Sequence, residues 1–263
     1  MVVEVRFDDP PVIELVFGVA FATLKKFSTP HVGIFWQSLG PDFQRVEDVS
    51  LLGPPSGRLT LDFAEPMQWP RVWMFSEDGN HLVQVQKDRF LYNWKSAKGD
   101  AGYPTFGRIF PTFQAHFGTF RSFVSDNELG EFEFRQFELT YVNHIPYDSV
   151  VPEVRGIGSD ILVDHVRDES RERFLPIPFM INWQSQFQLP DDAGVLSATA
   201  RSGKSPEDGE PLLRLDLSVR GITEDVSDEG MIRWFELAHD WIVQGFTDMT
   251  APDMQERVWR RNQ

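Results

Sequence analysis

A stripe of aromatic residues in the middle of the chain is the strongest constraint on the fold. Its large apolar side chains recur every three or four residues, which places them on one face of an α-helix. Such a face must be covered by another layer of structure, so we expect this helix to pack on a sheet. A stripe of this kind is far more often core than cofactor site. It consists of Phe106, Ile109, Phe110, Phe113, Phe117, Phe120 and Phe123.

Strand-like segments lie on both sides of this helix. Asp78-Gly79-Asn80 stands between two β-branched and aromatic runs, a strong hairpin signal, which predicts strands at residues 71–76 and 81–94. Further strands are predicted at residues 12–21, 131–147, 179–189, 195–201 and 212–221. The short runs separated by turn residues are typical of antiparallel pairing.

Three further helices are predicted. The first has Thr29 as its N-cap and Pro30 at its first position, and the last covers residues 252–259. Between them, a long helix is predicted from about Ser227. Its apolar stripe is Met231, Trp234, Phe235, Ala238, Trp241, Ile242 and Phe246. Residues 46–70 are rich in Pro and Gly, and we interpret them as a long loop with at most one edge strand, at 58–63.

The order of elements predicts an α+β protein, with antiparallel β-sheet packed against two long amphipathic helices. We expect residues 1–148 and 179–263 to form two α+β halves joined by a linker at 149–178, or else one continuous domain. Each half contains an Asn-Trp pair in a Gln-bearing strand, Asn93-Trp94 and Asn182-Trp183. A degenerate duplication would explain this match, and so would chance.

Composition narrows the classes of function. The net charge of −15 argues against nucleic acid as a partner, because that binding depends on Lys and Arg neutralising phosphates. The chain has no cysteine, which excludes disulfides and thiolate chemistry. Its N-terminal stretch lacks the basic region of a signal peptide, and no apolar run is long enough to span a bilayer. We therefore expect a cytoplasmic prokaryotic protein that does not bind membranes.

Neutral amides alternate along several predicted strands, beside aromatic residues. They indicate either the solvated faces of sheets or a partly buried groove, since an amide can donate and accept without the desolvation penalty of a charge. The second reading predicts a polar-aromatic groove on the sheet that binds a small molecule or peptide. The candidate lining residues are Gln84, Gln86, Tyr92, Trp94, Gln136, Glu138, His144, Asn182 and Gln184.

No motif predicts a cofactor, a metal site or a catalytic residue. The Gly-Lys-Ser at 203–205 lacks the first glycine of a phosphate-binding loop, and the six histidines show no metal-ligand spacing. The best acid–base candidates are Glu138 and His144, which share one face of a strand. They are six residues apart, about 20 Å along an extended strand.

Several segments together carry a family resemblance. They include "PPVIELVFGVAF", "HVGIFWQSL", "PRVWMFSEDGNHLVQVQKDRFLYNW", "YPTFGRIFPTF" and "FELTYVNHIPY". In this order they resemble the conserved blocks of a sporadically distributed family of uncharacterised prokaryotic proteins, over most of residues 10–147. The resemblance implies no activity or catalytic residues. By analogy with other patchily distributed genes, it suggests a defence-associated accessory role.

Three functions therefore remain open. The first is a non-catalytic binding protein that uses the polar-aromatic groove. The second is a protein-interaction or assembly component, antitoxin-like or homodimeric, with exposed aromatic residues as anchors. The third is a hydrolase-type enzyme with Glu138 and His144 in a cleft.

Overall fold

The structure is a computed structural model. It describes residues 5–51, 70–96, 102–147, 161–165, 172, 174–175, 178, 180–205 and 208–262. The helices are α1 (Thr29–Ser38), α2 (Phe106–Asp126), α3 (Asp228–Met249) and α4 (Pro252–Arg257). The strands are β1 (Arg6–Phe7), β2 (Val12–Phe21), β3 (Phe43–Val49), β4 (Arg71–Ser76), β5 (His81–Gln86), β6 (Arg89–Lys95), β7 (Phe134–Pro146), β8 (Asn182–Gln188), β9 (Val195–Lys204), β10 (Pro211–Gly221) and β11 (Arg261–Asn262).

The fold is α+β with a large antiparallel sheet and two long helices, which confirms the predicted class. Within the described residues, nine strands are hydrogen-bonded in the order β3-β4-β5-β6-β2-β7-β10-β9-β8. Every strand pair whose register is described is antiparallel. β1 and β11 form a separate two-stranded sheet.

Contacts divide the chain into two compact units. The α2 unit comprises Glu14–Leu139 and Arg220–Met231. The α3 unit comprises Met1–Ile13, Thr140–Val219 and Ile232–Gln263. The predicted division at 149–178 stays a prediction, and most of that linker lies outside the described residues.

Aromatic packing forms the core of the α2 unit. The predicted stripe of α2 is buried from Ile109 to Phe123 and rests on one face of the sheet. The Phe113 ring stacks on Phe17 of β2 with centroids 4.9 Å apart, and the Phe117 ring lies 5.3 Å from Phe90 of β6. Each fully buried Phe contributes about 2 kcal/mol of transfer free energy, so this stripe is a major source of stability.

The α3 unit repeats the scheme with different residues. α3 packs on β9, where a Cβ added at Gly245 would lie 3.0 Å from Leu196. The Trp234 indole N–H donates to the carbonyl of Ala193 (2.8 Å), and the Tyr141 hydroxyl is bonded to His239 Nδ1 (2.7 Å). The predicted stripe of α3 is buried except for Trp241, which is half-buried.

The hairpin at Asp78-Gly79-Asn80 is confirmed, but the single strand predicted at 81–94 is wrong. It is two strands, β5 and β6, which reverse at Lys87-Asp88 and pair Gln86 with Arg89. The turn is supported by the Gln86 side-chain amide, which donates to Asp88 Oδ1 (2.6 Å). Because the chain reverses, Gln84 lies opposite Leu91, and Tyr92 points to the other side of the sheet.

Two smaller expectations also change. The segment interpreted as a loop from residue 46 begins in a strand, because β3 extends to Val49. β3 pairs with β4 although it carries the charged residues Arg45, Glu47 and Asp48, which are more typical of a loop. α1 is capped one residue earlier than predicted, at Ser28, whose backbone N–H donates to His31 Nδ1 (3.0 Å). The edge strand proposed at 58–63 lies outside the described residues.

Candidate functional site

The sheet of the α2 unit has one face that is polar although much of it is buried. Residues opposite each other in antiparallel strands point to the same side, so the register identifies this face. Trp73 of β4 lies opposite Gln84 of β5, Gln84 opposite Leu91 of β6, and Leu91 opposite Gly18 of β2. We call this surface the polar face. Its polar members are Glu14, Arg45, Glu47, Arg71, Trp73, Gln84, Gln86, Arg89, Asn93, Lys95 and Glu138.

A chain of side-chain hydrogen bonds crosses three strands of the polar face. Gln84 Nε2 donates to Asn93 Oδ1 (2.6 Å), and Asn93 Nδ2 donates to Glu14 Oε1 (2.5 Å). Lys95 Nζ lies 3.6 Å from the same Glu14 oxygen. Gln84 and Asn93 are each only 4% exposed. These buried amides are held in fixed orientations by specific partners.

Three buried polar atoms at the β4 side of this face have no hydrogen-bond partner among the described residues: Arg71 Nε, Trp73 Nε1 and Gln84 Oε1. The Arg71 guanidinium lies 5.2 Å from the centroid of the Trp73 ring. Burial, followed by the charge on Arg89, lowers the pKa of Arg71. Two donors and one acceptor on adjacent strands therefore retain hydrogen-bonding capacity.

The β7 side of the polar face is charge-balanced. Glu138 accepts a hydrogen bond from Arg220 Nη2 (2.8 Å), which raises the pKa of Arg220. Burial lowers the pKa of Arg89, and the carboxylates of Asp88 and Glu138 oppose this shift. Gly18 leaves room for Glu138, because a Cβ added there would lie 3.2 Å from the Glu138 Cβ.

The predicted lining residues are distributed over both units. Gln84 and Gln86 lie on the polar face with Glu138, and Gln136 alternates with Glu138 along β7. In the α3 unit, His144 is half-buried on β7, whereas Asn182 and Gln184 are exposed on β8. Their joint contribution to one groove stays a prediction.

Tyr92 and Trp94 point to the opposite face of the α2 unit, where α2 covers the sheet. The Tyr92 hydroxyl is bonded to His81 Nδ1 (2.6 Å), and burial raises the pKa of Tyr92. His116 of α2 lies 5.5 Å from the Tyr92 ring, and burial lowers its pKa to about 4. Both aromatic residues therefore belong to the core beneath α2.

Sequence reasoning missed Arg71, Trp73 and Asn93 as members of the polar face. The signal that would have found them is Lys87-Asp88, two turn-compatible residues in the middle of a strand-like run. Pairing β5 with β6 across that turn moves Asn93 beside Leu82 and Gln84. The hairpin at Asp78-Gly79-Asn80 then brings Trp73 opposite Gln84.

The arrangement is suited to holding a polar group. Guanidinium and indole N–H groups bind carboxylate or phosphate oxygens, and a free amide oxygen accepts from a ligand N–H or O–H. No group of three or more His, Asp or Glu side chains among the described residues could hold a metal ion. None of the described helices has both the length and the apolar character of a membrane span.

Comparison with known proteins does not show what the polar face binds. No protein-family model matches the sequence, and no curated protein matches it at a significant level. The family resemblance of residues 10–147 therefore stays a prediction.

Proposed function

We propose that this chain is a non-catalytic binding protein that holds a small molecule or peptide on the polar face of the α2 unit. The ligand carries an anionic group, a carboxylate or phosphate, that accepts hydrogen bonds from Arg71 and Trp73. One observation carries the proposal: Arg71 Nε, Trp73 Nε1 and Gln84 Oε1 are buried without a partner among the described residues.

Energetics support this proposal. A buried polar atom without a partner destabilises a fold by about 1 to 3 kcal/mol. Three of them on two adjacent strands are unfavourable for stability alone, whereas a bound ligand would satisfy them. Binding residues are often placed at such a stability disadvantage.

The pattern of ion pairs on the polar face supports an anionic ligand. Within the described residues, Glu14 is paired with Lys95 and Glu138 with Arg220, whereas no carboxylate forms an ion pair with Arg71. Arg45, one strand away, has Glu47 at 3.3 Å. Arg71 is half-buried, and a guanidinium without a carboxylate partner is stabilised by a ligand that brings its own negative charge.

The enzyme alternative has no comparable support. Glu138 is engaged by Arg220, and His144 belongs to the α3 unit. The interaction alternative is supported by a different feature, the uncharged strand β8 at one end of the described strand order. An antitoxin-like or defence-associated role stays a prediction from the resemblance alone.

Native mass spectrometry of the protein, purified gently from expressing cells, tests the proposal. We expect a discrete added mass of ligand size in the wild type. Arg71→Gln removes the guanidinium and its positive charge, and Trp73→Phe removes the indole N–H, so both variants should lose that mass.

Arg45→Gln is the matched control, because Arg45 also stacks on an aromatic ring, Phe75, at 3.8 Å, yet has its own carboxylate partner. This control should keep the added mass. A wild type without any added mass, or a mass retained by Arg71→Gln and Trp73→Phe, would contradict the proposal.

A further inference from the structure

β8 is the final strand in the order of the large sheet, and it pairs with β9 along its whole length. The Ser202 N–H donates to the Ile181 carbonyl (3.0 Å), and the Leu189 N–H to the Gly194 carbonyl (2.9 Å). Backbone hydrogen bonding alternates along an antiparallel strand, so odd-numbered residues of β8 face β9. The even-numbered residues direct their N–H and C=O groups outward, where no described strand pairs with them.

Within the part of the chain that the structure describes, the outer edge of β8 has no charge, proline or bulge that would prevent pairing. Its sequence, NWQSQFQ, contains no charged residue and no proline, and its register with β9 is uninterrupted. β3, the strand at the other end of the order, carries Arg45, Glu47 and Asp48 and has a register shift after Phe43. Charges and bulges block edge-to-edge pairing. Among the described residues, β3 is thus protected by charges and a register shift, whereas β8 has neither.

The β8 sequence is nearly symmetric about its central residue, Ser185. Gln184 and Gln186 flank Ser185, Trp183 and Phe187 come next, and amides end the strand on both sides. When such a strand pairs antiparallel with its own copy, with Ser185 opposite Ser185, amides meet amides and aromatic rings meet aromatic rings. This register also places even-numbered residues opposite each other, so that their outward N–H and C=O groups can form the hydrogen bonds between the two copies.

We propose that β8 is a homodimer interface, in which two copies of this chain pair antiparallel across a two-fold axis at Ser185. Charge favours β8 over the rest of the surface, because a chain of net charge −15 repels its copy and residues 180–189 are uncharged. A seven-residue strand pair buries less than the roughly 1,000 Å² of a stable interface. The dimer is therefore reversible and depends on concentration.

Sedimentation velocity of the full chain, over a wide range of concentrations, tests this interface through charge. In the proposed register, position 184 of one copy lies opposite position 186 of the other. The double variant Gln184→Lys/Gln186→Lys apposes like charges and should remain monomeric, although it lowers the net negative charge. The matched variant Gln184→Lys/Gln186→Glu apposes opposite charges and should dimerise at least as well as the wild type.

Cysteine cross-linking tests the axis itself, since the chain has no cysteine of its own. Directly opposed residues in a non-hydrogen-bonded antiparallel pair have Cα atoms about 4.5 Å apart, within disulfide range. Ser185→Cys should therefore form a covalent dimer under mild oxidation. Asn182→Cys lies opposite Gln188 of the copy, far from its own counterpart, and should form one much more slowly.

Three outcomes would overturn the proposal. These are a wild type that stays monomeric at every concentration, two double variants that dimerise equally, and an Asn182→Cys variant that cross-links as fast as Ser185→Cys. Circular dichroism of each variant establishes that it is folded. None of these readouts depends on a ligand at the polar face, so this proposal and the proposed function fail separately.

Discussion

Amides alternate along both β5 and β8, but they differ in burial and in hydrogen bonding. Gln84 and Gln86 of β5 are each 4% exposed and belong to a network with defined partners. On β8 the amides are exposed, and Gln186 makes one long bond, 3.2 Å, to Ser197. The same residue type is therefore buried in a hydrogen-bonded network on one strand and exposed on the other, depending on the neighbouring strands.

The largest effect is expected from removing an amide of the buried network. Asn93→Ala removes the bonds that Gln84 and Glu14 make to Asn93, so we expect the unfolding free energy to fall by about 2 to 4 kcal/mol. For a chain of this size, that lowers the melting temperature by roughly 5 to 10 °C, measured by calorimetry.

Asn182→Ala is the matched control, since this Asn also precedes a Trp but is exposed on β8. Its melting temperature at dilute concentration should stay within about 2 °C of the wild type. Equal losses in the two variants would contradict the distinction between the strands.

A smaller effect on stability is expected from Gly18→Ala, with Gly203→Ala as its control. Gly18→Ala introduces a Cβ 3.2 Å from the Glu138 Cβ, which must shift while bonded to Arg220. We expect a loss of about 1 to 2 kcal/mol in urea unfolding. Gly203→Ala on β9 meets only Leu212 Cδ1 at 3.7 Å, an ordinary contact, and should be neutral. A reversed order would show that the polar face is loosely packed.

The smallest effect is a pH dependence that arises from His116 in the α2 unit. The pKa of His116 is about 4 in the fold, below its ordinary value of about 6.5. Between these values the unfolded chain binds more protons, so the unfolding free energy falls as the pH drops from about 6.5 to about 4. Since His116 is partly exposed, we expect on the order of 1 kcal/mol.

His116→Gln should flatten this part of the stability profile relative to the wild type, in thermal melts recorded at several pH values. β8 has no titratable side chain, so Gln184→Ala should leave the profile unchanged. A wild-type slope retained in His116→Gln would assign the dependence to other groups.

Periodicity was sufficient to predict the elements with the strongest hydrophobic pattern. The stripes of α2 and α3, the hairpin at Asp78-Gly79-Asn80 and the alternation of β8 all follow from local spacing. The failure at residues 81–94 was also local. Lys87 and Asp88 fit the alternation of one long strand, and only the pairing of Gln86 with Arg89 reveals a turn.

The polar face could be predicted only in part, because it depends on pairing between distant strands. Gln84 and Gln86 were visible as amides in a strand, but Trp73 reaches Gln84 through the β4–β5 register. The bond from Asn93 to Glu14 joins residues 79 positions apart. β-sheet contacts of this range follow from the topology of the whole sheet, which no single window of sequence contains.

The central claim is that the polar face of the α2 unit binds an anion through Arg71. Its most direct test is the melting temperature of wild type, Arg71→Gln and Arg45→Gln, titrated with benzoate and with inorganic phosphate. Binding at a hundredfold excess over Kd stabilises by about 2.7 kcal/mol. We predict stabilisation of the wild type and of Arg45→Gln by at least one probe, and none of Arg71→Gln. Equal stabilisation of all three proteins, or of none, would contradict the claim.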